Sequence, residues 1–114
     1  MSDEKQMELI TVIVRRSRAD ATLEAALAAD APGITYYWAR GTGVRKKLGF
    51  VGTLIEAEKL VLLIAVPIDQ TDRIFGAVVK AANLDRPGEG FAYVQRISRS
   101  VGFYPTEQTQ NPAS

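Results

Sequence analysis

The chain has 114 residues, 46% hydrophobic and 24% charged, which is one domain's worth of sequence. It contains no cysteine and no histidine. That excludes a disulfide framework, a thiol nucleophile, a Cys/His zinc site, a Ser-His-Asp triad and any imidazole base. Lys+Arg 14 against Asp+Glu 13 leaves a formal charge of +1, so bulk charge gives no sign of a nucleic-acid partner.

Residues 1–6 (MSDEKQ) are acidic and polar, and a disordered start is expected. With no export pattern there, and no apolar stretch near the roughly 20 residues of a membrane span, a cytoplasmic protein is expected. Met7–Arg15 (MELITVIVR) is rich in β-branched residues and predicts a strand. A helix is predicted from Ser17, because Ser17 and Asp20 stand at capping-box spacing and Ala19, Leu23, Ala26 and Leu27 share one face. The DAPG of residues 30–33 should stop it, since proline cannot continue a helix and glycine permits the turn. Residues 34–40 (ITYYWAR) predict a second strand. Residues 41–52 (GTGVRKKLGFVG) hold four glycines in twelve positions and predict a loop. Residues 58–66 (EKLVLLIAV) predict a third strand, closed by Pro67. Thr71–Ala82 predicts a second helix, capped by Thr71 or Asp69, with Ile74, Val78 and Ala81 on one face. Residues 83–90 predict a loop and 91–98 (FAYVQRIS) a fourth strand. A short segment at 101–105 closes the domain, expected over 7–105, and residues 106–114 (TEQTQNPAS) are expected to be disordered.

The order β-α-β-β-α-β predicts an α+β, ferredoxin-like fold: an antiparallel sheet of order 4-1-3-2 with both helices on one face. The central first and third strands do not alternate in polarity. Residues 60–66 are apolar without a break, and residues 9–14 have only Thr11 as a polar member. Both faces of such strands need burial, and one small domain covers only one of them. A homo-oligomer packing sheet against sheet is therefore expected.

Two glycine-bearing segments are candidates for chemistry. In the first, Gly41, Thr42 and Gly43 are followed by Val44 and by Arg45, Lys46 and Lys47, with Arg40 before them and no acid until Glu56. Glycines let backbone N–H groups approach a ligand, and the cations suit a phosphate, another anion or an acidic surface. A mobile hairpin connection would carry the same pattern. The second is Arg86, Pro87, Gly88, Glu89 and Gly90, a turn whose amides could cradle an anion. Tyr36, Tyr37 and Trp38 read as core or interface packing, and Arg96 and Arg99 as a solvated edge that could also reach a cleft between subunits. Nothing resembles a catalytic constellation or a metal site, so no enzyme is expected.

Five pieces, LITVIVRR, EAALAADAPGIT, ARGTG, EKLVLLIAV and AANLDRPGEGFAYVQRI, cover about residues 7–102. With their spacing, the chain resembles the nitrogen-regulatory PII superfamily of signalling proteins. The resemblance implies a homotrimer with ligand clefts between subunits. Each cleft would be built from the base of a long T-loop (here 41–56) and a B-loop (here 85–90). It implies an effector, an adenine nucleotide (ADP, AMP or ATP) or a small anion such as bicarbonate, and no covalent cofactor. Gly41, Thr42, Gly43, Arg45, Lys46, Lys47, Arg86, Pro87, Gly88, Glu89, Gly90 and Arg99 would meet that effector. Val44, Leu48, Phe50 and Val51 on the T-loop would meet a target protein, such as a transporter, a metabolic enzyme or a regulator. Neutralising Arg45, Lys46 and Lys47 would order the loop and change what it binds.

The chain departs from the family pattern. Arg45 replaces a glutamine of 2-oxoglutarate sensors, and no tyrosine lies between Gly43 and Glu56. Phe91 stands where family members have a phosphate-gripping lysine. Gly102 and Tyr104 fall where two arginines reach phosphates across the subunit boundary. Arg45, Lys46, Arg86 or Arg99 would have to substitute. Two other readings fit: a structural trimer like the CutA proteins without nucleotide sensing, and a small enzyme using Lys46 or Lys47 on a phosphorylated substrate.

Overall fold

The computed structural model describes residues 6–43 and 55–103. Strand β1 (Met7–Arg15) runs into a single 3-10 turn (Arg16–Arg18) and helix α1 (Ala19–Ala28). Strands β2 (Thr35–Gly43) and β3 (Ile55–Pro67) follow, then a second 3-10 turn (Ile68–Gln70), helix α2 (Thr71–Ala82) and strand β4 (Gly90–Ile97). The sheet is antiparallel with order β2-β3-β1-β4, the expected order read from the other edge. The expected disordered tail at 106–114, and all but Gln6 of the expected disordered start, lie outside the described residues. The Gln6 carbonyl accepts a hydrogen bond from the Ile68 N–H at 2.9 Å.

One face of the sheet is the core. Ile10, Val12 and Val14 of β1 alternate with residues of the other face, and their partners on β3 are Ile64, Leu62 and Leu60. All six are at most 2% exposed. Ala19 and Ala26 of α1, and Ile74, Val78 and Ala82 of α2, complete the same cluster. Both helices therefore cover this face. The ends of α1 and α2 are tied by Arg73 Nε, which donates to the Ala29 carbonyl at 3.1 Å.

Both helices start otherwise than their side chains suggested. Ser17 lies inside the first 3-10 turn, and α1 begins at Ala19 without a side-chain cap, so the Ser17–Asp20 capping box is not formed. The N-cap position of α2 belongs to Gln70, again without a side-chain cap bond; Thr71 is helical and its hydroxyl is buried with no hydrogen-bond partner. The 3-10 turns do the work instead: the Ala19 N–H donates to the Arg16 carbonyl and the Thr71 N–H to the Ile68 carbonyl.

The helix ends follow the Schellman pattern. In α1, Asp30 takes the left-handed conformation (φ 65°), while the N–H groups of Asp30 and Ala31 donate to the carbonyls of Leu27 and Ala26, each at 3.0 Å. Asp30, not Gly33, makes this turn. Asn83 (φ 61°) does the same for α2, with its N–H on the Lys80 carbonyl and that of Leu84 on the Val79 carbonyl.

Candidate functional site

The segment Gly41–Gly43 belongs to β2, not to a loop, and pairs with Ala57, Glu56 and Ile55 of β3. The hairpin ladder continues through two glycines. At Gly41 the missing side chain leaves room for Lys59, whose Cγ would lie 3.3 Å from a Cβ there. Residues 44–54, with the candidates Val44, Arg45, Lys46, Lys47, Leu48, Phe50 and Val51, lie outside the described residues.

The second glycine segment follows the left-handed Asn83. The Arg86 N–H donates to the Asn83 carbonyl at 3.1 Å and the Glu89 N–H to the Arg86 carbonyl at 3.4 Å. Gly88 has φ 83°, a conformation that favours glycine. Gly90 is required by close approach: a Cβ would collide with the Ile13 carbonyl oxygen and lie 2.9 Å from Leu84 Cδ2 and 3.2 Å from Val14 Cα. The loop is thereby pressed onto the end of β1, where Gly90 pairs with Val14.

Strand register brings the two glycine segments to one end of the sheet. Gly90 is level with Val14, Leu60 and Trp38, and Gly41 pairs with Ala57 just beyond. They stand on opposite edges, three strand spacings across and three residues along, so Gly90 and Gly41 are roughly 17 Å apart. Arg99 is not with them. Ile97 pairs with Met7 at the other end of β1, so Arg99 sits beyond the far end of β4, roughly 23 Å or more from Gly90.

The gap between the glycine segments is filled by cations that the sequence reading passed over. Arg15, Arg16 and Arg18 are three arginines in four residues, a one-sign cluster at a strand–helix junction. Arg16 Nη1 lies 2.6 Å from Glu58 Oε1, and its guanidinium sits 5.9 Å from the centre of the Trp38 ring. Arg18 Nε donates to Glu89 Oε1 at 3.3 Å, and Arg15 Nη1 lies 3.6 Å from Glu89 Oε2. Glu89, placed among the effector contacts from sequence, is thus engaged within its own chain. Arg15, Arg16, Asp20, Arg40 and Glu58 help line an open groove of about 830 Å³ at this end. Among the described residues, no three acidic side chains gather to hold a metal ion.

The other face of the sheet carries Leu9, Thr11 and Ile13 of β1 and Val61, Leu63 and Ala65 of β3, and among the described residues no helix lies over it. Tyr37, Phe91 and Tyr93 flank this apolar strip, and each is more than a third exposed. Phe91 and Tyr93 lie together there, ring centres 5.5 Å apart. Among the described residues, no helix is long and apolar enough to cross a membrane.

Several solved structures share this fold. The chain superposes on B. subtilis GlnK in its ATP complex with a TM-score of 0.66 at 19% identity, covering 82% of this chain and 83% of that one. For Arabidopsis thaliana PII bound to citrate the TM-score is 0.63 at 21% identity, covering 86% and 83%. A Bacillus cereus protein related to NIF3 matches with a TM-score of 0.63 at 19% identity over 83% of this chain. The chain spans only 26% of that longer protein. No functionally curated protein matches. The family model described as nitrogen regulatory protein P-II matches residues 7–107, nearly the whole domain and both glycine segments. The chain belongs to the nitrogen regulatory protein P-II family.

Proposed function

We propose that this PII-type signalling protein works as a homotrimer. Its clefts between subunits take an adenine nucleotide (AMP, ADP or ATP) or a small anion such as bicarbonate. The segment 41–56 then acts on a target protein, a transporter, a metabolic enzyme or a regulator. The observation that carries this reading is the family match spanning both glycine segments, together with their arrival at one end of the sheet. The trimer is supported by the uncovered apolar face, whose Tyr37 and Phe91 are 50% and 61% exposed in the single chain. In that trimer Arg99 and the segment 85–90 of one cleft would come from different copies, since they lie at opposite ends of β4 within one chain. B. subtilis GlnK is known in complex with ATP, and that ligand class is extended here to this chain.

Binding is tested by calorimetry with AMP, ADP, ATP and bicarbonate, and assembly by sedimentation at micromolar concentration. A trimer that binds one of these ligands below millimolar is expected. A trimer that binds none favours the second reading, a structural CutA-like assembly. Phe91 speaks for that reading: its ring packs beside Tyr93 at the position where family members have a phosphate-gripping lysine. A lone protomer would overturn both.

A further inference from the structure

We propose that Arg15 and Arg18 are positioning residues of the glycine loop at 85–90: through Glu89 they hold that loop against the end of β1, in the shape that meets the effector. The inference rests on the reading of this loop as an effector-binding segment. Glu89 differs from its neighbours. Residues 85–88 are exposed, whereas the Glu89 side chain is only 17% exposed. Its two oxygens are divided between two arginines, Oε1 receiving Arg18 Nε at 3.3 Å and Oε2 lying 3.6 Å from Arg15 Nη1. One cation beside each oxygen favours a single orientation of the carboxylate as well as its place.

Within the loop, Gly88 lacks a side chain and sits at φ 83°, and the Glu89 N–H bond to the Arg86 carbonyl (3.4 Å) ties the loop only to itself, not to β1. The loop is anchored at its start by the left-handed Asn83 and at its end by the approach of Gly90 to Ile13. Glu89 supplies the anchor between them. Its partners come from the last residue of β1 and the last residue of the 3-10 turn, so the clamp joins segments 71 residues apart in sequence. The trio keeps a net charge of +1, and the arginines that aim the loop leave a positive field beside its amides.

Two measurements test this. The first is amide hydrogen exchange on the ligand-free protein, which reads the clamp whatever the effector is. Glu89→Gln is expected to speed exchange at the amides of residues 89 and 90 by about fivefold, the scale of two half-exposed ion pairs. Unchanged exchange overturns the clamp. The second is calorimetry with ADP. If wild-type protein does not bind ADP, ADP is excluded as the effector while the exchange result still decides the clamp. If it binds, Glu89→Gln is expected to weaken affinity by about three- to tenfold. Arg18→Lys should retain more affinity than Arg18→Ala, and Arg18→Ala should cost nothing further in the Glu89→Gln background. Tighter binding by Glu89→Gln would make Glu89 a competitor for the arginines, and equal costs of Arg18→Ala in both backgrounds would make Arg18 a direct contact. Either result overturns the proposal.

Discussion

At the scale of single residues, two glycines predict opposite outcomes for one substitution. Gly90 lies where β4 leaves its loop, and its hydrogen-only α-carbon lets the chain rest on the Ile13 carbonyl and Val14 Cα. Backbone on both sides cannot give way as a flexible side chain can. Gly90→Ala should cost about 2–3 kcal/mol, in the range of overpacked sites. Gly76 sits inside α2, with nothing within 4 Å of the position of its missing Cβ. Alanine there restricts the unfolded chain and meets no obstacle, so Gly76→Ala should gain about 1 kcal/mol. Urea denaturation checks both, with midpoints moving in opposite directions and slopes unchanged. The same clash moves the loop that Glu89 anchors, so Gly90→Ala should also weaken any ligand held there, whereas Gly76→Ala should not.

At the scale of elements, the helix ends rest on left-handed residues that are not glycine. Asp30 holds φ 65° to close α1, and an L-residue with a Cβ carries strain there that short polar side chains only partly relieve. Asp30→Gly removes the strain at the cost of a more flexible unfolded chain. A net gain of about 0.5 kcal/mol is expected, read as a higher denaturation midpoint. This turn also shows what was legible in the sequence. β1 and α2 run between the expected residues, because their signals are summed over many apolar side chains. The caps were misread because Ser17 and Thr71 look like capping residues while backbone carbonyls of 3-10 turns meet the helix N–H groups. Gly41 and Gly43 looked like loop because glycine usually breaks a strand. Here the bare position at Gly41 makes room for Lys59, a neighbour invisible without the register. In the site, the glycines were legible as glycines. The clamp was not, since nothing local in RRSR points to a glutamate 71 residues away.

At the scale of the whole molecule, the described residues give the sheet one face covered by helices and one left uncovered, of comparable apolarity. The uncovered strip runs through Thr11 and Val61, which neighbouring side chains already shield to 4% and 6% exposure, and out to Tyr93 and Tyr37 at its margins. Tyr93 faces Thr11 across the β1–β4 ladder and is 37% exposed in the single chain. A charge at this position costs the lone protomer little, because water still reaches it. In a sheet-to-sheet assembly the same carboxylate would be buried without a partner, a loss of several kcal/mol at each copy of the interface. Tyr93→Glu should therefore leave the circular dichroism of a folded α+β domain intact while sedimentation shifts from trimer to protomer. Retention of the trimer at micromolar concentration would place the interface elsewhere. Loss of the fold together with the assembly would mean that this face is needed for the protomer itself. The variant also separates the two ends of the proposed cleft. Arg99 lies beyond one end of β4 and the 85–90 loop precedes the other, so a protomer that no longer assembles should lose any effector bound between them, with every described contact inside the chain still in place.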